Sequence, residues 1–545
     1  MKTKYLLLLA LILVGASLGP SPTISAPPTP AGPGLDAEDV LIFPAPLFVG
    51  DRVSVDVVPR LGAGVAVNDA YSVTLTYPDG STDSAPVAPQ GLDYRPRARF
   101  YWTWTASGPA RATALTVTLN LPPEAEVGDP NPTDNRVVVP LTLHPQSEIP
   151  PPEPSARWTT TETAGFRLHY LTNAAAERDL AYLTTQAAWA YDAVTARLAP
   201  GDETLDIYLM DRIIGHGGYA SSAWVAVAYA DRQYVPQHMD LVLRHELTHR
   251  LDAAIDCDGA PTLLREGLAV YITGGHYRLD AVPRKTATLV RSGRYIPLAT
   301  LAQDFYLHQH EIGYLEAGAL VTYVVDQFGW ESVATLCHAA KASEAGDDVA
   351  RLEAGLRELS GLDLAEFERR WKWWLHALPS TARDSAALDA KLHLMEAIRG
   401  YQAAYDPTAH FLIGILFSPE AAEQRGLTAD FARRPRAAEP IAVELLLEMA
   451  VAAWERHQPV RAETLLAEVD LVLTEGVGAS ALASDVRAMT EASLARGYEP
   501  YRLVPNEDGS YLIYALEYAD WPRQRILVGA LSGDEWLVTG PQPDF

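Results

Sequence analysis

Five consecutive residues, His245-Glu246-Leu247-Thr248-His249, carry the types and spacing for metal-assisted hydrolysis. They sit inside Leu241–Arg250, a run patterned as a helix. Residues four apart on a helix stand one turn above each other, so both imidazoles face the same way and can hold one Zn2+. Glu246 lies about 100° round from His245, where it can act as general base on water at that ion. Catalytic zinc takes three protein ligands and leaves the fourth position open. Glu266 is the candidate third ligand, on a second helical pattern, Pro261-Thr-Leu-Leu-Arg-Glu266-Gly-Leu-Ala-Val-Tyr271. Sixteen residues separate it from His249, enough to end one helix, turn, and bring back an antiparallel partner. Gly267 and Ala269 are small and would let those two helices approach closely.

Cys257 is the rival ligand, with the poorer context. Cys257 and Cys337 are the chain's two cysteines, a count that permits one disulfide in an oxidising compartment. Asp252 and Asp256 follow the first helix and could orient an imidazole, or could be plain surface charges. His216, in the glycine-rich Gly215–Ala220, reads as a polar turn residue.

The pairing of His245-Glu-Leu-Thr-His249 with Leu264-Arg-Glu266-Gly-Leu-Ala-Val-Tyr271 resembles the gluzincin zinc metallopeptidases, and among them the bacterial extracytoplasmic peptidase MA-like domains. The likeness spans about 156–378. It implies Zn2+ as cofactor, held by His245, His249 and Glu266, with Glu246 as catalytic base and a peptide or protein as substrate. A metzincin reading fails, because Asp252 and Ile255 stand where that longer motif needs Gly and His. The developing oxyanion of peptide hydrolysis needs a donor besides the metal. Tyr314, in a stretch similar to the later helix of MA-like domains, is the candidate; Tyr271, His308 and His310 are its rivals. His308-Gln-His310 itself reads as a solvated loop. The strand Ala223–Tyr229 is expected to border the cleft and pair with an extended peptide, an arrangement that draws affinity from main-chain hydrogen bonds.

The elements around this centre predict a multidomain chain. Lys2 and Lys4 precede an apolar run and Gly15-Ala16-Ser17, the pattern of a secretory signal peptide over 1–16, so the protein is expected to be secreted or at the cell surface. A linker covers 17–35. Short alternating runs over 36–146, such as Arg52–Val58, Tyr71–Tyr77, Thr113–Leu119 and Arg136–Leu143, predict an all-β sandwich. It resembles immunoglobulin-like modules of the CARDB type and reads as a spacer or adhesion module for a cell-surface partner. Trp102 and Trp104 alternate on one face there and read as core-packing or sheet-surface residues. A stiff Pro-rich linker, 147–155, leads to the central α+β zincin-like peptidase domain, 156–378, closed by Trp371-Lys-Trp-Trp374. A helical region follows over 379–498, with a hairpin of Glu439–His457 and Val460–Leu473, and then a small β-rich cap over 499–545.

The chain has 545 residues, 48% hydrophobic and 21% charged, with a formal charge of −26. That balance is globular and disfavours nucleic acid and anionic membranes as partners. No segment after the signal reaches spanning length; Phe411–Phe417 reads as a short buried stretch. The alternative to an enzyme is a non-catalytic surface protein on a degenerate zincin scaffold. A retired site tends to lose its base or a ligand, and here all four residues stand.

Overall fold

The computed structural model describes residues 32–541 apart from 62–70, 91–94, 104–110, 150–152, 164, 201–203, 212–216, 345, 407–408, 410–417, 507–509, 518–524 and 531–535. The expected signal peptide, Trp104, His216 and Phe411–Phe417 lie outside them.

The chain is multidomain, with two N-terminal sheets, a mixed central sheet, a helical bulk and a small C-terminal sheet. The alternating runs of the first part form two sheets. One orders Val40–Phe43, Arg52–Val57, Arg95–Thr103 and Ala88–Gln90; the other orders Leu47–Phe48, Arg136–His144, Arg111–Asn120, Ser72–Thr76 and Thr82–Pro86. Because side chains alternate along a strand, Val55, Val57 and Phe100 of the first sheet meet Val73, Leu75, Leu115 and Val117 of the second in one core. Trp102 stacks on Tyr77, ring centroids 4.7 Å apart, as a packing residue.

The central sheet runs Trp158–Glu162, Phe166–Leu171, Leu205–Met210, Trp224–Ala228, Gly218–Ala220. Its middle three strands are parallel and its two outer strands antiparallel. The parallel strands are buried on both faces, as parallel strands usually are. Two helices follow the second strand, Ala175–Arg178 and Leu180–Thr195, parted at Asp179. Trp224–Ala228 lies between Leu205–Met210 and Gly218–Ala220, so both its edges are used. The expectation that this strand offers its backbone to a peptide is therefore corrected. Gly218–Ala220, which comes just before it in the chain, pairs antiparallel along its flank, and the outer edge of the sheet belongs to that strand.

Beyond it the chain is helical from Met239 to Leu494, among the described residues. The expected hairpin is present as Ala438–Glu455 and Pro459–Glu475. Trp371 is fully buried while Trp373 is exposed. A four-stranded antiparallel meander from Tyr498 to Pro541 ends the fold. Arg433 ties the parts together: its guanidinium donates to Asp51 at 2.7 and 2.9 Å and to Glu153 Oε2 at 2.9 Å. Glu153, in the expected stiff linker, is thus buried in an ion cluster. No helix among the described residues is long and apolar enough to cross a membrane.

Candidate metal centre

The first of the two predicted helices forms as Met239–Leu251. Met239, Leu243, Leu247 and Leu251 recur every fourth residue and pack with the central-sheet strands in one core. His245 and His249, two residues out of step with that stripe, turn about 200° away from it. The second helix, Thr262–Thr273, is ended by Gly274 in the left-handed region (φ 81°), which a glycine reaches without strain. Gly267 serves a different contact from the one expected. A Cβ there would lie 2.5 Å from Ala317 O, and one at Gly318 would lie 2.4 Å from Val270 Cγ1. The two glycines let Thr262–Thr273 interlock with the helix His310–Phe328, and that packing fixes Glu266 from behind.

His245, His249 and Glu266 converge. His245 Nε2 is 3.1 Å and His249 Nε2 3.3 Å from Glu266 Oε2, and the two Nε2 atoms are 3.2 Å apart. Ligands at about 2.0–2.1 Å around tetrahedral zinc stand roughly 3.3–3.4 Å from one another, so the triangle has the size of one face of that tetrahedron. The three are, among the described residues, a group of donors able to hold a metal ion. Burial depresses the His245 imidazolium to about 4, leaving a neutral ring. Burial opposes charge on His249 and Glu266 too, but their mutual attraction outweighs it, raising His249 and lowering Glu266 well below its usual value. A neutral imidazole beside an ionised carboxylate is the donor set zinc takes, and the carboxylate favours positive charge at this point.

Neither aspartate orients these rings. Asp252 is buried but accepts from Arg265 Nε at 2.8 Å, and Asp256 pairs with His338 and Lys341 at the surface. The Nδ1 atoms of His245 and His249 are buried and have no hydrogen-bond partner among the described residues. Cys257 is joined to Cys337 by a disulfide and is no ligand.

Glu246 is buried, and burial pushes its carboxyl up to about 8, with His249 pulling it down and Glu266 adding to the rise. Its space is left by Gly218 in the edge strand, where a Cβ would lie 2.6 Å from Glu246 Cγ. Tyr277 closes over the same strand: a Cβ at Gly217 would touch its ring at 3.1 Å. Tyr277 has φ 60°, unusual for a bulky residue, and its carbonyl accepts from His238 N at the start of the helix Met239–Leu251, 3.0 Å away.

Of the candidate oxyanion donors, Tyr314 is buried with its ring 5.9 Å from that of His245. His310 is also buried, 4.6 Å from the Tyr314 ring, correcting the expectation of a solvated loop for it. Tyr271 stacks on Trp330, outside this cluster. Three residues that spacing gave no reason to single out complete the surroundings. His276 lies flat on Tyr314, centroids 3.8 Å apart at 4°, and its Nδ1 is 2.9 Å from Glu311 Oε2. Lys391, from the helix Ala382–Tyr405, neutralises Glu311 and Asp280. Tyr306 donates to Glu266 Oε1 at 2.5 Å. Each joins the centre through contacts far apart in sequence; the density of His and Tyr over 271–314 could have drawn attention to His276 and Tyr306, and no local pattern pointed to Lys391.

No known protein family and no curated protein matches the chain. Among solved structures it is similar to an aminopeptidase N family protein from Idiomarina loihiensis, at 10% identity and a TM-score of 0.27, over 59% of this chain and 73% of that one. A score of this size does not separate shared from unrelated architecture, so the chemistry rests on the residues themselves.

Proposed function

We propose that the chain is an exported zinc metallopeptidase of the gluzincin type. The observation that carries the reading is the meeting of His245 Nε2, His249 Nε2 and Glu266 Oε2 at 3.1–3.3 Å, with the Glu246 carboxylate one residue along the same helix. Zinc held by these three atoms supplies Lewis acidity, acidifying water and polarising a carbonyl oxygen. Glu246 is the base: its carboxylate takes the proton of the attacking water and returns it to the departing amine nitrogen. Tyr314 is the donor to the developing oxyanion, braced by the His276 ring lying flat on it.

A peptide substrate fits the outer edge of Gly218–Ala220, the terminal strand of the central sheet beside Glu246. An extended chain added there would gain main-chain hydrogen bonds. Export fits the basic-then-apolar opening of the sequence and the Cys257–Cys337 disulfide, which belongs to an oxidising compartment.

The test is metal analysis and peptide-library cleavage of the wild type beside Glu246→Gln. The expected result is one zinc per chain in both proteins, and a loss of cleavage of about 10²-fold or more in the variant. Equal cleavage by the two zinc-loaded proteins would overturn the reading.

A further inference from the structure

We propose that Tyr306 is a positioning residue that makes Glu266 a ligand through one oxygen only; this rests on the zinc reading above. The two carboxylate oxygens of Glu266 face different partners. Oε2 is the atom 3.1 and 3.3 Å from the histidine nitrogens, whereas Oε1 accepts the Tyr306 hydroxyl at 2.5 Å. A carboxylate can approach a metal with one oxygen or with both. A short hydrogen bond to Oε1 draws on that oxygen's charge, which weakens it as a second donor to a metal, and it fixes the rotation of the carboxylate about its last bond.

The phenol is held for this task. Tyr306 lies in the short turn Phe305–Leu307 just before the helix His310–Phe328, the same helix that interlocks with the backbone of Thr262–Thr273 at Gly267. Phe305 meets Tyr306 edge-on at 5.3 Å and Tyr314 at 5.2 Å, so one aromatic cluster carries both phenols. Glu266 is 5% exposed, which leaves water little access to Oε1 in place of the tyrosine. With Oε1 engaged, a tetrahedral metal keeps its fourth position for water or substrate, as a hydrolytic centre requires.

The test is zinc titration against a competing chelator, and the visible spectrum of Co2+ bound in place of zinc, for the full-length wild type and Tyr306→Phe. The phenylalanine keeps the ring and removes only the donor. The expected result is zinc affinity lower by about 10–100-fold in the variant, with weaker Co2+ d–d absorption as Oε1 joins the coordination sphere, and an unchanged unfolding midpoint of the metal-free protein. Unchanged affinity and spectrum would overturn the proposal. So would a lowered metal-free midpoint, because the hydrogen bond would then serve the fold at large. Failure of the wild type to take up zinc would instead sink the metallopeptidase reading itself.

Discussion

The backbone of Gly218 and the side chain of Glu246 share one space. A methyl group at 218 would sit 2.6 Å from Glu246 Cγ, 2.8 Å from its Oε1 and 3.0 Å from the Ala226 carbonyl oxygen. The edge strand can therefore lie against Glu246 only because residue 218 has no side chain.

Gly218→Ala is expected to displace the Glu246 carboxylate and lower peptide cleavage by about 10²-fold, the share carried by a general base, while zinc content stays at the wild-type level. Kinetics and metal analysis on the same preparation check this. The same change in an E246Q background should cost little more, since both act on one group.

Lys391 is 1% exposed and faces both Glu311 and Asp280 Oδ2, the latter at 3.1 Å. Removing one partner of a buried ion cluster strands the rest, at a cost of about 3–5 kcal/mol. Lys391→Met should lose that much in denaturant unfolding, and adding Glu311→Gln should restore part of it.

The Cys257–Cys337 disulfide closes a loop over a sequence separation of 80 and pins the segment between the helices Met239–Leu251 and Thr262–Thr273 to the helix Glu331–Ala342. By the unfolded-state argument it stabilises by about 2–5 kcal/mol. Denaturation of the C257S/C337S double variant beside the wild type should show a loss in that range.

Burial raises the Glu448 carboxyl from its usual 4.5 to about 7, with Arg502 opposing the rise. The folded state then binds the proton more tightly than the unfolded chain. Its contribution is full below about pH 4.5 and is lost as pH rises through about 7. Glu448→Gln, which cannot ionise, should match the wild type near pH 4 and exceed it at pH 8 by about 1–3 kcal/mol. Unfolding curves at the two pH values decide it.

The sequence by itself determined the chemistry-bearing residues and the local elements that carry them. A four-residue interval places His245 and His249 on one helix face whatever surrounds it, and period-two alternation gives the strands of the N-terminal sheets without reference to their partners. Glu266 was legible because its helix pattern and distance allow a return to the first helix. Tertiary structure alone decided what those residues meet. Gly267 is small because Ala317, fifty residues on, lies against it; Trp224–Ala228 lost its free edge to the strand paired beside it; Asp252 turned to Arg265 and away from the imidazoles. His276, Tyr306 and Lys391 reached the centre through contacts between residues far apart in sequence. Local pattern follows from backbone geometry, which acts over a few residues, whereas a hydrogen bond or an ion pair is fixed by the position of two side chains in space. Only the folded chain sets that position.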